Sequence, residues 1–598
     1  MVIQEVLFPN PETCSSFEMY FRTDAAGKRP FFSQEARLVN VPQWTHLDLD
    51  TYFNGFSIGK WQKYTLLDNL KLCLELQGEF HVQLIHWKTL KGESSKTVLA
   101  ERICRAEKRT FFELGFPCEL AERGIYACSL YAVGQQNAFY GGFYATEMDE
   151  DRLNNVDIAI DICTFRREVF VERNIAMLNR DIIGNPDSEL RGHLDVFISD
   201  NGRTLDATRL RNEHVHIFAN RNVGGAGGFT RGMMEILDYP VRFSHVLVMD
   251  DDVLINSDAI IRTYRLLRLL KPEYAGKTIA GAMLRLDNRH IQFECCATWN
   301  GYEPLPCKHL LDLREAENVL YNEQEETISF NGWWYSCIPM AKISNESLPL
   351  PLFVHRDDVE FGLRTGSDVL SLNGICLWHE SFDNKYVSSM EYYEVRNDMI
   401  TNALHLPGFS GVAAAWSMLR RIIANVIRYR YNNCALIFRG VDDFCGGPEF
   451  LMTEDAEALH EELMEASDKL LPLDQLSISF DEQIYRQSID EKAAFVNVAR
   501  IFLLNGIFLP ARGTNIVNAA TCWPRNCYRK KAILNYDELT QCGFVTKRSF
   551  TKTFAIMFKA LGKAVKLARC YDRVCESYRQ AQARLTSREF WEEYLKLK

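Results

Sequence analysis

From about residue 156 the apolar positions of this chain stop alternating and run together. VDIAIDICTF (156 to 165), LDVFISDNG (194 to 202), HVHIFAN (214 to 220) and SHVLVMDDDV (244 to 253) are short apolar runs, each ending in polar residues. Between them, REVFVERNIAMLNR and the stretch after GGAGGF carry helical spacing. Strands apolar on both faces, alternating with helices, predict a parallel α/β sheet covered on both sides. Ligands of such sheets bind beyond the carboxyl ends of the strands. The strand ends TFRR, DNG, NRN and DDD should therefore meet in one crevice.

The flanks read differently. Residues 1–150 hold short aromatic and β-branched segments such as EFHVQLIHW (79 to 87) and GIYACSLYAV (124 to 133), separated by Gly, Asn and Asp. They predict an N-terminal β-sandwich. Residues 151–400 form the α/β part. Residues 401–598 are mainly helical, with apolar spacing over 413–431, 455–472 and 547–573. The last of these carries eight Lys or Arg against one Asp. Phe550, Phe554, Met557, Phe558, Leu561 and Val565 make an apolar side next to its lysines. Two readings stand for it: a helix packed on its own domain with a solvated charged face, or a peripheral contact with a membrane surface.

Composition narrows the class. The chain has 598 residues, 47% hydrophobic and 25% charged, which suits a soluble globular protein of about three to five domains. Its net charge of −11 argues against nucleic acid as a partner. The 18 cysteines are scattered, without the spacing of a disulfide framework or a zinc site, so most are expected reduced in cores. The opening MVIQEVLFPNPETC lacks the basic start and apolar run of a signal peptide, and no apolar run reaches membrane-spanning length. The expected compartment is the cytoplasm, and the membrane reading of the basic helices puts the chain peripherally at the inner face of the cell membrane.

Four motifs carry candidate chemistry. Asp250, Asp251 and Asp252 follow the apolar run VLVM directly. Alternate residues of an extended chain share a side, so Asp250 and Asp252 can grip one cation. Carboxylate oxygens suit Mn²⁺ or Mg²⁺. The other reading of the triplet is a solvated turn capping a helix. Next, NRNVGGAGGFTRGM (220 to 233) lets backbone pack against a ligand and enter a helix, and Thr230 excludes the dinucleotide fingerprint. Its bland reading is a turn.

The third motif, PLFVHRDDVEFGLR (351 to 364), adds Asp357, Asp358 and Glu360. One of these can take the proton of an attacking hydroxyl; otherwise they are acids favoured by a helix N-terminus. His379 follows another apolar strand, GICLWHESF, and either completes a metal site or is a structural histidine. The fourth motif, FNGWWYSCIP, offers Trp333 and Trp334 as a platform for a sugar ring, or as core. His290 and Glu294 share a face if RLDNRHIQFE is helical, and could bond acceptor hydroxyls.

The order TFRR, DNG, RNVGGAGGFTRGM, VMDDDV, RHIQFE, NGWWYS, HRDDVEF, LWHESF, EYYEVRN resembles the polymerising galactofuranosyltransferases of the mycobacterial cell wall and their bacterial relatives. These are inverting family-two glycosyltransferases. TYFNGF and KWQKYT resemble that family's N-terminal sandwich. The resemblance implies a GT-A catalytic fold between a β-sandwich and a helical domain. It implies transfer of galactofuranose from uridine diphosphate galactofuranose to a glycan or glycolipid acceptor, and a homo-oligomer is expected. Metal ligation falls on Asp250, Asp252 and His379, and the base on Asp358. Thr164, Arg166, Asp200, Asn201, Arg221, Asn222 and Asp251 fall near the donor. His290, Glu294, Trp333, Trp334 and Asp357 fall at the acceptor. TFRR departs from the family's TFNRP, which bears on the uridine pocket. The alternatives are a GT-A transferase for another nucleotide sugar, or a noncatalytic glycan-binding scaffold.

Overall fold

A computed structural model describes residues 1–23, 29–90, 93–117, 119–366, 368–382, 386–490 and 504–597. In the first 150 residues the expected strands form. Val2–Glu5, Phe31–Ser33, Leu38–Asn40, His46–Asp48, Lys71–Leu90, Glu93–Gly115, Ile125–Ala132 and Ala138–Ala145 bond into one eight-stranded antiparallel sheet. A sandwich of two separately bonded sheets is not what the described residues form. The cause is the strand Lys71–Leu90. One of its edges pairs with Glu93–Gly115, while the other pairs first with Ala138–Ala145 and then with Ile125–Ala132. Gly78 sits at that changeover with φ of 107°, where a Cβ would meet the Gln136 carbonyl oxygen at 2.4 Å.

The central sheet is built from β1 (Ile158–Thr164), β2 (Leu194–Asp200), β3 (Val215–Ala219), β4 (His245–Asp250), β5 (Thr278–Arg285), β6 (Ile291–Glu294), β7 (Tyr335–Pro339) and β8 (Val369–His379). The first four are parallel, as expected, in the order β3-β2-β1-β4. Beyond β4 the sheet is mixed rather than parallel. β7 is antiparallel to β4 and β5, β6 is antiparallel to β5, and β8 runs parallel to β5. Helices α1 (Glu168–Leu178), α2 (Gly224–Asp238), α3 (Ser257–Leu269) and α4 (Asp357–Thr365) connect these strands.

Alternate residues of the central strands enter different cores, as period-two geometry requires. Ile158, Ile160, Ile162, Leu247 and Met249 join the core shared with the N-terminal sheet. Ala159, Val246 and Val248 join the core shared with the C-terminal helices. Fully burying one such aliphatic side chain contributes about 1.5–3 kcal/mol. The TYFNGF segment lies in the first core, and Phe53 packs beside Trp378 with ring centroids 6.2 Å apart. That contact braces the end of β8, where His379 stands.

The C-terminal part contains α5 (Met390–His405), α6 (Gly411–Val426), α7 (Tyr431–Cys445), α8 (Ala456–Ala466), α9 (Phe550–Leu585) and α10 (Arg588–Tyr594). The helical run expected over 413–431 breaks after Val426, and Tyr429 turns the chain with φ of 63°. A four-stranded sheet of Leu471–Pro472, Thr514–Asn518, Ala532–Asp537 and Cys542–Lys547 also forms among these helices, which the sequence pattern did not indicate. Among the described residues no helix is long and apolar enough to cross a membrane, and the described cysteines are unbonded.

Candidate active site

The end of β4 brings out the acidic triplet. Asp250 closes the strand, and Asp252 follows in the turn. Their carboxylates meet His379, from the end of β8, with one ligand atom of each within 4.8 Å of the others. His379 Nε2 is 3.2 Å from Asp252 Oδ1 and 3.7 Å from Asp250 Oδ2. The ring's Nδ1 donates to the Glu380 carbonyl at 2.7 Å. That bond commits Nδ1 and leaves Nε2 on the side of the two carboxylates, the orientation of a metal-ligating imidazole. Two carboxylates and one imidazole fit a divalent cation of the Mn²⁺ or Mg²⁺ type. Burial, with repulsion from Asp252 and Asp251, raises the Asp250 carboxyl to about 6, against the opposing pull of His379.

Asp251 turns the other way. It is buried, and its Oδ1 accepts from Arg167 at 3.0 Å. The same guanidinium lies 2.6 Å from Asp252 Oδ2, so Arg167 fastens two members of the triplet. The sequence reading took Arg166 from TFRR and passed over Arg167. Its signal was only its place after a strand end. Arg166 instead adopts φ of 56° and lies over the Phe165 ring.

Asp357 and Asp358 open α4 and face the same cavity as Asp250. This cavity has a volume of about 900 Å³, and Glu294, Trp333, Trp334 and Gly225 also line it. Burial pushes the pKa of both adjacent carboxyls up. Asp358 ionises first, at about 6, and its charge holds Asp357 up at about 8. The Val359 amide donates to Asp358 Oδ1 at 2.7 Å. Glu360, in contrast, is fully buried and tied to Arg364 and His405, which keeps it out of the cavity chemistry.

The tryptophans serve both readings. Trp333 is 6% exposed and Trp334 7%, so most of each ring is core and only a rim reaches the cavity. Trp333 packs edge-on against Phe229 and Phe361, and Trp334 Nε1 donates to the Gly281 carbonyl at 3.0 Å. Phe382, 46% exposed, lies between Trp334 and His379 at the rim.

The glycine run begins α2 directly. Gly224, Gly227 and Gly228 are pressed against Phe353, Val223 and Cys163, where a Cβ would come within 2.0 Å. They serve packing, and Gly225 is the one of the four that lines the cavity.

Several expected donor-side residues are otherwise engaged. Asp200 accepts from the amides of Gly202, Thr204 and Leu205, and so shapes its own turn. Asn201 donates to the Gly224 carbonyl and accepts from Asn220. Asn222 Oδ1 accepts from the Gly224 amide at 3.4 Å. Thr164 is buried at the end of β1. Arg221 points to the C-terminal part, bonding both oxygens of Asp455 and the Tyr594 carbonyl. It is not brought to the cavity. His290 is not either. RLDNRHIQFE forms a turn and a strand rather than a helix, and His290 lies 4.0 Å from Asp312. Only Glu294 of that pair reaches the cavity. A smaller cavity of about 180 Å³, lined by Lys60, Cys295 and Lys308, holds none of the candidate residues.

The sequence reading also missed the charged wall opposite. His355, Arg356, Glu394 and Arg421 line the cavity; Asp398 joins the two arginines, and Glu394 pairs with Arg421 and His355. His355 and Arg356 precede α4, Glu394 and Asp398 stand on α5 and Arg421 on α6, so the ion pairs of this wall cross between elements and leave no local spacing signal.

The family model for the N-terminal region of galactofuranosyltransferase 2 matches residues 3–115. Galactofuranosyltransferase GlfT2 of Mycolicibacterium smegmatis is 26% identical over 648 residues, covering 99% of this chain and 96% of its own length. The protein of the same name from Mycobacterium tuberculosis is 23% identical over 640 residues, with 99% and 97% covered. Among solved structures, a mannosyltransferase of Pyrobaculum calidifontis in complex with GDP-mannose and Mn²⁺ is 11% identical. It covers 53% of this chain and 82% of its own, at a TM-score of 0.29, too slight a likeness to argue from. Each of the two GlfT2 proteins is thus similar to this chain over 99% of the chain's length.

Proposed function

We propose that this chain is a metal-dependent, inverting galactofuranosyltransferase of cell-wall polysaccharide synthesis, using uridine diphosphate galactofuranose as donor and a glycan or glycolipid as acceptor. One observation carries the reading: Asp250, Asp252 and His379 converge within 4.8 Å, and Asp250 shares a cavity with Asp357 and Asp358. The full-length similarity to the two GlfT2 proteins supports the sugar. The chain is read as three units: residues 1–150, a GT-A catalytic unit over 151–400, and a helical unit over 401–598.

In this mechanism Asp250, Asp252 and His379 would hold Mn²⁺ or Mg²⁺. When bound, the cation neutralises charge developing on the leaving diphosphate. Arg167 keeps Asp251 and Asp252 in place. Asp358 accepts the proton of the acceptor hydroxyl, whose oxygen attacks the anomeric carbon opposite the diphosphate and inverts its configuration. Asp357 bonds the acceptor, and the rims of Trp333 and Trp334 with Glu294 give the sugar an apolar face and a polar edge. Positioning and fixed charge supply most of the acceleration.

The acceptor's lipid end bears on the surface of α9. Phe550, Phe558, Leu561 and Val565 are 54%, 73%, 53% and 51% exposed on that lysine-bearing helix, which suits peripheral contact with an anionic membrane. A homo-oligomer presenting several such helices would strengthen it. The test of the function is incubation with a lipid-linked glycan acceptor, Mn²⁺, and either uridine diphosphate galactofuranose or its pyranose isomer, with and without chelator. Extension with the furanose donor only, abolished by chelator, is expected. Equal use of the pyranose donor, or indifference to chelator, would overturn the reading.

A further inference from the structure

The residues just before α4 follow an unusual course. Phe353, His355 and Arg356 all have positive φ, at 72°, 64° and 71°. None is glycine, and each such residue strains the backbone unless its surroundings over-determine it. Arg356 is the N-cap of α4, and its own side chain makes no capping bond to that helix start. The direction in which Asp357 and Asp358 leave the chain is therefore set by this loop rather than by a cap.

What holds the loop is α5. Asn397 is fully buried. Its Nδ2 lies 3.0 Å from the Leu352 carbonyl oxygen, 2.9 Å from that of Val354 and 2.8 Å from that of His355. One amide nitrogen thus gathers three carbonyls of a four-residue stretch. Arg396 Nε donates to Asn397 Oδ1 at 2.9 Å, which fixes the amide's orientation, and Arg396 Nη2 takes the Leu352 carbonyl as well. The next residue, Asp398, accepts from Arg356 Nε at 2.7 Å. From the opposite side the Ala226 amide donates to the Phe353 carbonyl at 3.2 Å. The RN of the EYYEVRN motif, to which the sequence reading gave no role, is the pair that grips the loop.

We propose that Asn397 is a positioning residue that acts through Asp358: its buried amide holds Leu352–His355 in the left-handed course that aims the α4 carboxylates into the cavity. The claim rests on the reading of Asp358 as base. No other side-chain amide or hydroxyl bonds these three carbonyls among the described residues. Releasing the clamp lets the strained residues relax and turns the start of α4, while the cation ligands on β4 and β8 are left untouched.

The test is a double-mutant cycle on transfer, with Asn397→Ala, Asp358→Asn and the double variant, read as kcat and as KM for uridine diphosphate galactofuranose. Asn397→Ala should lower kcat on the order of 10²-fold, because misplacing a catalytic group by about 1 Å costs that much. Donor KM and Mn²⁺ affinity should stay within about twofold. On the Asp358→Asn background the same change should cost no more than about threefold further. Multiplicative loss on that background, or equal losses in kcat and Mn²⁺ affinity, would overturn the positioning role. Full turnover by Asp358→Asn alone would overturn the base assignment and this proposal with it. Should Asn397→Ala not fold, the equal-sized Asn397→Asp, which swaps the donor for an acceptor facing three carbonyls, carries the same cycle.

Discussion

His379 Nε2 stands 3.2 Å from Asp252 Oδ1, while the opposite ring nitrogen is committed to the carbonyl of its neighbour Glu380. Asp250 supplies a second carboxylate oxygen to the same spot, so the three ligand atoms, all within 4.8 Å of one another, are placed to hold one divalent cation. The arrangement therefore predicts that His379→Ala weakens Mn²⁺ binding by about tenfold or more, with little loss of fold. Titration followed by electron paramagnetic resonance measures it. Unchanged affinity would place the cation elsewhere.

The acid limb of the rate profile should belong to Asp358. Its carboxyl is raised to about 6 by burial, and a general base works only when ionised. Transfer rate should climb as pH rises through about 6 and level off by about 7, with donor saturating. A flat profile between pH 5 and 7 would remove Asp358 from proton transfer.

Asp357 should weaken the fold it belongs to. Its folded-state value of about 8 lies well above the ordinary carboxylate range, because of burial and the charge of Asp358. A raised carboxyl costs stability as pH climbs from the unfolded value toward the folded one, and the cost is complete only above about 8. With cation removed, Asp357→Asn should therefore be more stable than the parent, by on the order of 2 kcal/mol at pH 8 and less at pH 5. Thermal unfolding at the two pH values reads the difference. A variant less stable than the parent at pH 8 would contradict the burial argument.

The glycine run separates into two roles that mutation can distinguish. Gly224→Ala must fail structurally, since φ is 74° and the new Cβ would meet the Phe353 carbonyl oxygen at 2.0 Å. A loss of about 3 kcal/mol or more is expected, with the loop before Asp357 displaced. Gly225→Ala meets nothing closer than Asp357 Oδ2 at 3.5 Å, so it should fold normally and act on turnover alone. Equal melting temperatures for the two variants would refute the division.

How much of this was legible in the sequence follows from what local pattern can encode. The apolar runs of β1 to β4 gave the parallel half of the sheet, and the acids at their ends gave Asp250 and Asp252, because a strand and its following turn are contiguous. The mixed half was not legible, since β7 and β5 insert by pairings across long separations. The N-terminal strands were legible and their pairing was not, because alternation reports which face is buried, not which strand bonds which. Arg167 and Asn397 were missed for a common reason. Each acts on a partner on another element, Asp251 lying 84 residues from Arg167 and His355 42 residues from Asn397. Arg221 was assigned by its place after β3, and the carboxylate of Asp455 that claims it lies 234 residues away.

The account stands most directly on Asp358. Its measurement is single-turnover transfer from uridine diphosphate galactofuranose by the parent and by Asp358→Asn, alongside donor and Mn²⁺ affinity for both. The expected result is transfer slowed by about 10²- to 10⁴-fold with both affinities retained. Transfer at the parent rate, or lost affinity that accounts for the whole defect, would contradict it.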